Sequence, residues 1–299
     1  MNAILIDANS LIYRLYYASL SINKKAEVNK TSNHVDVQRI TIKMLYSICF
    51  KLVWDKEWDF KIAAFDSKEK LIRKQQFEAY KSNRKPMPDE LVELLPTIRK
   101  IFSAFGFVLL AKPGYEADDL IGSFATCASK DDIKCNIYTS DHDLLQLIDP
   151  NIQVCMFQKG ISKMQTENEQ SFKQEYGFAP KLMIDYKALA GDNSDFYHGI
   201  KGIGPTTAKD LLIKYPGGVN EIYNHLNDLP KKTRDLLEKG KDDCDLFKNI
   251  ATINCSLFAN HNIALFKAKP IAVNEIKDHV YKDGFSAFYP YFNNEEKTK

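Results

Sequence analysis

Membrane-spanning length, charge imbalance and paired cysteines are all missing from this sequence. No run approaches the roughly 18 apolar residues that a span requires, and the first ten residues, MNAILIDANS, carry no basic region and are interrupted at Asp7. The six cysteines (Cys49, Cys127, Cys135, Cys155, Cys244 and Cys255) are scattered, with no C-x-x-C pair, as free thiols in a reducing cytoplasm would be. A cytoplasmic chain with no membrane association is expected. Lys+Arg is 41 against Asp+Glu 39, so a net charge of +2 excludes a histone-like basic tail and a polyacidic scaffold. It leaves nucleic-acid binding open, because opposite charges can be segregated onto different faces. Arginine is scarce, at six of the 41 basic residues, a bias that fits an AT-rich genome better than any chemistry. Phosphate-binding loops are missing too. No G-x-x-x-x-G-K-[ST] occurs, and the only approach to G-x-G-x-x-G, Gly202 to Thr207, lacks the third glycine and follows no strand. An aspartyl-phosphatase would want Asp-x-Asp after its first strand, where Asp7-Ala8-Asn9 supplies one acid.

What is present is alternation. Residues 3–6, 62–65, 107–110, 136–139 and 153–157 are short apolar runs that read as buried strands. Patterns such as Arg39 to Trp54 and Glu116 to Ser129 place apolar residues at helical spacing between them. Such alternation predicts an α/β fold with a mainly parallel central sheet and helices on both faces. Near Gly191 the chain changes to helical pieces separated by glycine turns, so two regions are expected: 1–185, an α/β unit, and 186–299, a helical unit. Residues 67–100, rich in charge and holding Pro86 and Pro88, show only a weak apolar face. The tail from Asn293 to Lys299 is polar and is expected to fray.

The strands end in acids. The first runs into Asp7, the second into Asp66 and the fourth into Thr139-Ser140-Asp141-His142-Asp143, while Glu116, Asp118 and Asp119 open a helix and Asp192 and Asp195 occupy a turn. Ligands of an open parallel sheet bind beyond the carboxyl ends of its strands. Each acid alone could be a helix-dipole partner or a cap. Together they repel, by about 3 kcal/mol for two carboxylates roughly 5 Å apart at an effective dielectric of about 20. Nine at one sheet edge require cations. Oxygen donors without a Cys or His cluster select Mg²⁺ or Mn²⁺, and more than one such ion suits hydrolysis of a phosphodiester.

Two further stretches suggest how a substrate is held. In Gly199-Ile200-Lys201-Gly202-Ile203-Gly204-Pro205-Thr206-Thr207-Ala208-Lys209 three glycines permit a tight hairpin and Pro205 suits a first helical turn. Backbone N–H groups at that helix start can hold a phosphate without reading bases. Within 67–100, Arg73, Lys74, Lys81, Arg84 and Lys85 are interleaved with Phe77 and Tyr80, which combines phosphate-seeking charge with rings able to stack on bases.

These residues occur in an order that resembles the 5′ nucleases, the family of the 5′–3′ exonuclease domain of bacterial DNA polymerase I and the phage flap endonucleases. The matching stretches are Leu5-Ile6-Asp7, Phe65-Asp66, Tyr80 to Arg84, Gly114 to Asp119, Thr139 to Gln146, and Gly191 to Asp195 with the glycine hairpin behind it. A fainter echo at Leu246 to Ile253 extends the likeness over most of the chain.

The resemblance implies two divalent ions (Mg²⁺ or Mn²⁺), a helical arch over about 67–100 that admits a 5′ single strand, and a helix–three-turn–helix unit gripping duplex DNA. Asp7, Asp66, Glu116 and Asp118 would surround the first ion. Asp141, Asp143, Asp192 and Asp195 would serve the second, with Asp119 nearby. Lys81 and Arg84 would contact the scissile phosphate. Arg73, Tyr80, Lys201, Gly202, Gly204, Thr206, Thr207 and Lys209 would hold DNA, and a K⁺ would sit on the hairpin carbonyls. It further implies flap or RNA-primed DNA as substrate, with a separate polymerase and ligase. A ribonuclease on a related acidic fold and a non-catalytic junction binder are the rival readings. The sequence departs from the family at Phe196-Tyr197-His198, where Asn-Ile-Pro is usual, and at Thr206 and His142, where the family has Lys.

Overall fold

A computed structural model describes residues 1–28, 36–158 and 163–293; of the tail expected to fray, all but Asn293 lies outside the described residues. Strand β1 (Asn2–Asp7) leads into α1 (Ala8–Val28) and α2 (Val37–Cys49), which runs on into a π-helical turn over Phe50–Trp54. Next come β2 (Phe60–Ala64), a single-turn α3 (Ile72–Gln76), α4 (Asp89–Ala104), β3 (Val108–Leu110), α5 (Ala117–Lys130) and β4 (Lys134–Thr139). A 3₁₀ turn (His142–Leu147) joins β4 to β5 (Ile152–Phe157), and β6 (Met164–Glu167) completes a six-stranded sheet of order β3-β2-β1-β4-β5-β6.

All neighbouring strands are parallel except β5 and β6. The expectation of five strands missed β6 because Met164-Gln165-Thr166-Glu167 is mostly polar, as an edge strand can be. Alternate residues of β1 serve opposite faces. Ala3 and Leu5 pack with α5 and the helices beyond residue 180, and Ile4 and Ile6 pack with α1, α2 and α4. Both faces are covered, so the strand reads as an unbroken apolar run. Strand order reverses between β1 and β4, which opens a crevice at their carboxyl ends, where Asp7 and Asp141 lie.

Helices α6 (Glu169–Tyr176), α7 (Met183–Ala190), α8 (Pro205–Lys214), α9 (Val219–Asn224), α10 (Lys231–Lys239) and α11 (Lys241–Ala251) form the helical region. The expected single unit 186–299 divides, however. From Lys267 the chain returns to the sheet layer, where the N–H groups of Ala268, Lys269 and Ala272 donate to the carbonyls of Asp59, Gly106 and Ala104. Helix α12 (Val273–Lys282) then buries Ile276 and Val280 in the cluster beneath α2 and α4.

The segment 67–100 also divides. Its second part is α4, whose Leu91, Leu94, Ile98 and Ile101 are core, an apolar face that the charges in the first part had obscured. Its first part, α3 and the turns after it, lies across the acidic crevice.

Candidate active site

Asp7 ends β1 and is buried. Its Oδ1 accepts the N–H of Ser10 at 3.0 Å and its Oδ2 the hydroxyl of Thr139 at 2.7 Å. Burial, with the charges of Asp66 and Asp141, pushes its carboxyl up to about 7. Asp66 follows β2 and accepts Asn9 Nδ2 at 2.8 Å and the N–H of Ala117 at 2.9 Å. Burial raises it, although the Ala117 bond works the other way. Asp118, in the first turn of α5, is raised well above the carboxylate range by burial and by Asp141 and Asp7. Oxygens of Asp118, Asp141 and Asp143 lie within 4.8 Å of one another. This cluster unites acids that the resemblance had assigned to different ions.

The nine acids fall into two groups. Among the described residues Asp7, Asp66, Asp118 and Asp141 form no ion pair, whereas the other five do. Glu116 caps α5 and is gripped by Arg73 at 2.7 Å and by Lys81. Burial would raise it, but Lys81 and Arg73 outweigh burial and hold it below the usual glutamate value. Asp195 meets Arg84 at 2.7 Å and Lys81 at 3.9 Å, yet burial still raises it. Lys187 of α7 pairs with both Asp143 and Asp192. Against the opposing effect of burial, Lys187 and Ser194 hold Asp192 down to about 2.

Three expectations change here. Arg73 does not face a phosphate: its guanidinium forks onto Asp119 at 2.6 and 2.9 Å and donates to the carbonyls of Ile250 and Thr252. Asp119 is therefore the buried partner of Arg73, and it also accepts the N–H of Asn254 rather than facing the crevice. Tyr80 is 2% exposed and cannot stack on a base; its hydroxyl donates to Glu116 at 3.0 Å while its ring packs with Tyr197, Phe247 and Ile250. Of the interleaved charges and aromatics that read as a binding surface, Arg73, Tyr80 and Lys81 turn inward as a clamp, while Lys74, Arg84 and Lys85 border open cavity.

Asp7, Asp66, Glu116, Asp118, Asp141 and Asp192 line a cavity of about 850 Å³, with Lys81 and Arg84 on its wall. A second cavity of about 900 Å³ shares Asp66, Lys81 and Arg84 and continues along Lys68, Lys70, Lys74 and Lys85. Residues absent from the sequence reading line both or one of these. Tyr13 and Tyr17, one turn apart on α1, stack with centroids 6.4 Å apart and border both cavities. Arg14 reaches the first cavity and donates to Ser140 Oγ at 2.9 Å. Their four-residue spacing was the available signal for the tyrosines. Lys187 offered none, since it lies within an ordinary helical stretch.

In the glycine hairpin Gly199 and Gly202 have φ of +61° and +92°, where a side chain is disfavoured. Gly204 is different: its φ is ordinary and a Cβ there would meet nothing within 4 Å. Lys201, Gly202, Gly204 and Thr206 are exposed and Thr207 is half-buried. Lys209 donates to the carbonyl of Glu175 at 2.9 Å. His142 faces outward beside the Tyr176 hydroxyl. The central donor set is thus oxygen only, which fits a hard divalent cation.

A family model described as 5′–3′ exonuclease, N-terminal resolvase-like domain, matches residues 2–177, and one described as 5′–3′ exonuclease, C-terminal SAM fold, matches residues 178–274. The chain belongs to the 5′–3′ exonuclease family. This exonuclease is 35% identical to the 5′–3′ exonuclease of Mycoplasma pneumoniae over 98% of its own length and 99% of that protein's. It is 39% identical to the 5′–3′ exonuclease of Mycoplasma genitalium, covering 90% of this chain and 91% of that one. In fold it is similar to the bacteriophage T5 flap endonuclease in a pseudo-enzyme–product complex with DNA and metal ions, with a TM-score of 0.61 at 15% identity over 95% of this exonuclease and 99% of that chain. Among its described residues no helix is long and apolar enough to cross a membrane.

Proposed function

We propose that this exonuclease is a Mg²⁺-dependent, structure-selective 5′ nuclease that cleaves phosphodiesters where a 5′ single strand meets duplex DNA. The observation that carries this reading is the convergence of Asp7, Asp66, Asp118 and Asp141, four carboxylates without an ion pair among the described residues, at the strand-order reversal of the sheet. Asp118, Asp141 and Asp143 would hold one Mg²⁺, and Asp7 and Asp66 stand beside them to complete a second site. Such ions, when bound, supply an activated water and neutralise charge on the phosphate. The chain supplies the rest. Lys81 and Arg84 neutralise the phosphate at the crevice wall, with Lys81 kept charged by Glu116 and Asp195 although burial opposes this. The stacked Tyr13 and Tyr17 offer ring faces where the two cavities join, and the lysine-lined cavity provides a track for a single strand. The open face of Gly204 lets a phosphate approach the start of α8 on the duplex side. RNA-primed DNA fits the same track, with a separate polymerase and ligase acting on the gap and nick in the cytoplasm.

A 5′-labelled flap, compared with matched single-stranded, blunt duplex and RNA-primed substrates with and without Mg²⁺, tests the proposal. Cleavage at the flap junction and of the RNA primer, abolished by chelator, is the expected result. Cleavage of single-stranded RNA in preference to any junction would favour a ribonuclease, and junction binding without cleavage would make the chain a silent binder.

A further inference from the structure

Among the described residues three non-glycine positions have positive φ: Lys81 at +54°, Asp132 at +56° and Phe196 at +61°. Aspartate tolerates this region and Lys81 belongs to the crevice wall, but Phe196 has neither excuse. It is 51% exposed and belongs to none of the three hydrophobic clusters. Neither burial nor turn geometry selects phenylalanine there, since glycine or asparagine would make the same turn with less strain and expose less apolar surface. An outlier of this kind beside a reactive site is a reason to look for a ligand.

The turn that carries Phe196 is rigid. Asp192 and Tyr197 exchange backbone hydrogen bonds of 2.8 and 3.0 Å, and Asp192 Oδ1 accepts the N–H of Ser194 at 2.7 Å. Lys81 donates its N–H to the carbonyl of Asp195. Tyr197, the next residue, is buried and stacked on Phe247 at 5.0 Å, which anchors the turn from beneath. On its far side the turn is welded to the glycine hairpin: a Cβ on Gly199 would lie 2.3 Å from the nitrogen of Gly191, and Ile200 donates to the carbonyl of Leu189 at 2.9 Å. Phe196 thus stands on the protein surface within a fixed frame, one residue from the carboxylate of Asp195 and three from the first glycine of the hairpin.

We infer that Phe196 is a specificity-determining wedge whose ring stacks on a nucleobase at the single-strand/duplex junction. This rests on the proposed nuclease function. An exposed ring on a rigid turn, next in the chain to Asp195 and three residues before the glycine hairpin, suits a base with one unstacked face, which a junction has and a continuous duplex lacks.

The test uses a 5′-flap DNA carrying 2-aminopurine at the junction, a blunt duplex of the same sequence, and the full chain with Phe196→Ala, Phe196→Asn or Phe196→Trp. Removing the ring should weaken flap binding roughly tenfold, leave duplex binding within about twofold and abolish the 2-aminopurine fluorescence change. Phe196→Asn relieves the backbone strain, so it should melt roughly 2 °C higher while binding the flap less tightly, a pairing that a purely structural role would not produce. Phe196→Trp should bind the flap as well as wild type, and its indole fluorescence should be quenched on binding. A Phe196→Asn variant that binds and discriminates the flap like wild type, beside a wild type that cleaves it, overturns the wedge alone. A wild type that neither binds nor cleaves the junction overturns the nuclease reading as well.

Discussion

Lys187 holds Asp192, with its ammonium 2.6 Å from the carboxylate Oδ2, and the same nitrogen pairs with Asp143. An internal cation therefore stands between two acids that the crevice would otherwise leave repelling one another, while Asp7, Asp66, Asp118 and Asp141 have no such partner among the described residues.

Lys187→Met removes that cation without changing the helix much. The metal-free protein should lose about 3 kcal/mol, as buried pairs do when one partner is deleted. Mg²⁺ then meets no internal competitor at Asp143 and Asp192, so saturating Mg²⁺ should raise the melting temperature of the variant more than that of wild type. Thermal melts across a Mg²⁺ titration would show this, and equal Mg²⁺ responses would remove Lys187 from competition with the ion.

The pH dependence of the metal-free protein follows from opposite shifts. Asp7 titrates at about 7 when folded against an ordinary 3.8, because burial disfavours its charge. Between those values the folded chain binds more protons than the unfolded one, so stability falls as pH rises from about 4 to about 7. Asp192, held down to about 2, and Glu116, held below its usual value, act the other way, and their stabilisation is lost as pH falls below about 4. Melting temperatures in chelator should decline from pH 4.5 to 7.5, and Asp7→Asn should flatten that decline. An unchanged slope in the variant would assign it to other groups.

Asp141→Asn separates chemistry from binding. Asp141 lies in the tight oxygen cluster with Asp118 and Asp143, so its loss should lower single-turnover cleavage by orders of magnitude. Flap affinity in chelator should hold or rise as a negative charge leaves the crevice. Near-normal turnover would take Asp141 out of the metal site.

Thr206→Lys addresses the duplex grip. Thr206 is exposed at the start of α8 and brings no charge there, while the neighbouring ammonium of Lys209 is held toward the Glu175 carbonyl. The variant should bind duplex more tightly and steepen the salt dependence of binding by up to about one unit, with the saturated cleavage rate unchanged. An unaltered salt slope would exclude a phosphate contact at this position.

The order of the acids along the chain and the apolar runs before them were enough to read the parallel sheet and its acidic edge. Strand direction fixes where each run ends, so Asp7, Asp66 and Asp141 must arrive at the same side whatever the details of packing. The polar edge strand β6 and the inward turn of Arg73, Tyr80 and Lys81 were not legible. Composition shows how much charge a segment carries, and it does not show which way the side chains turn. Arg73 finds Asp119 across 46 residues, and Arg84 finds Asp195 across 111. Such pairings depend on how α3 and the turns after it settle against α5 and the Asp192–Tyr197 turn. Folding therefore divided nine chemically similar carboxylates into five paired with nearby cations and four that form no ion pair among the described residues, because ion pairing acts over a few ångströms and most of these partners lie far apart in the chain.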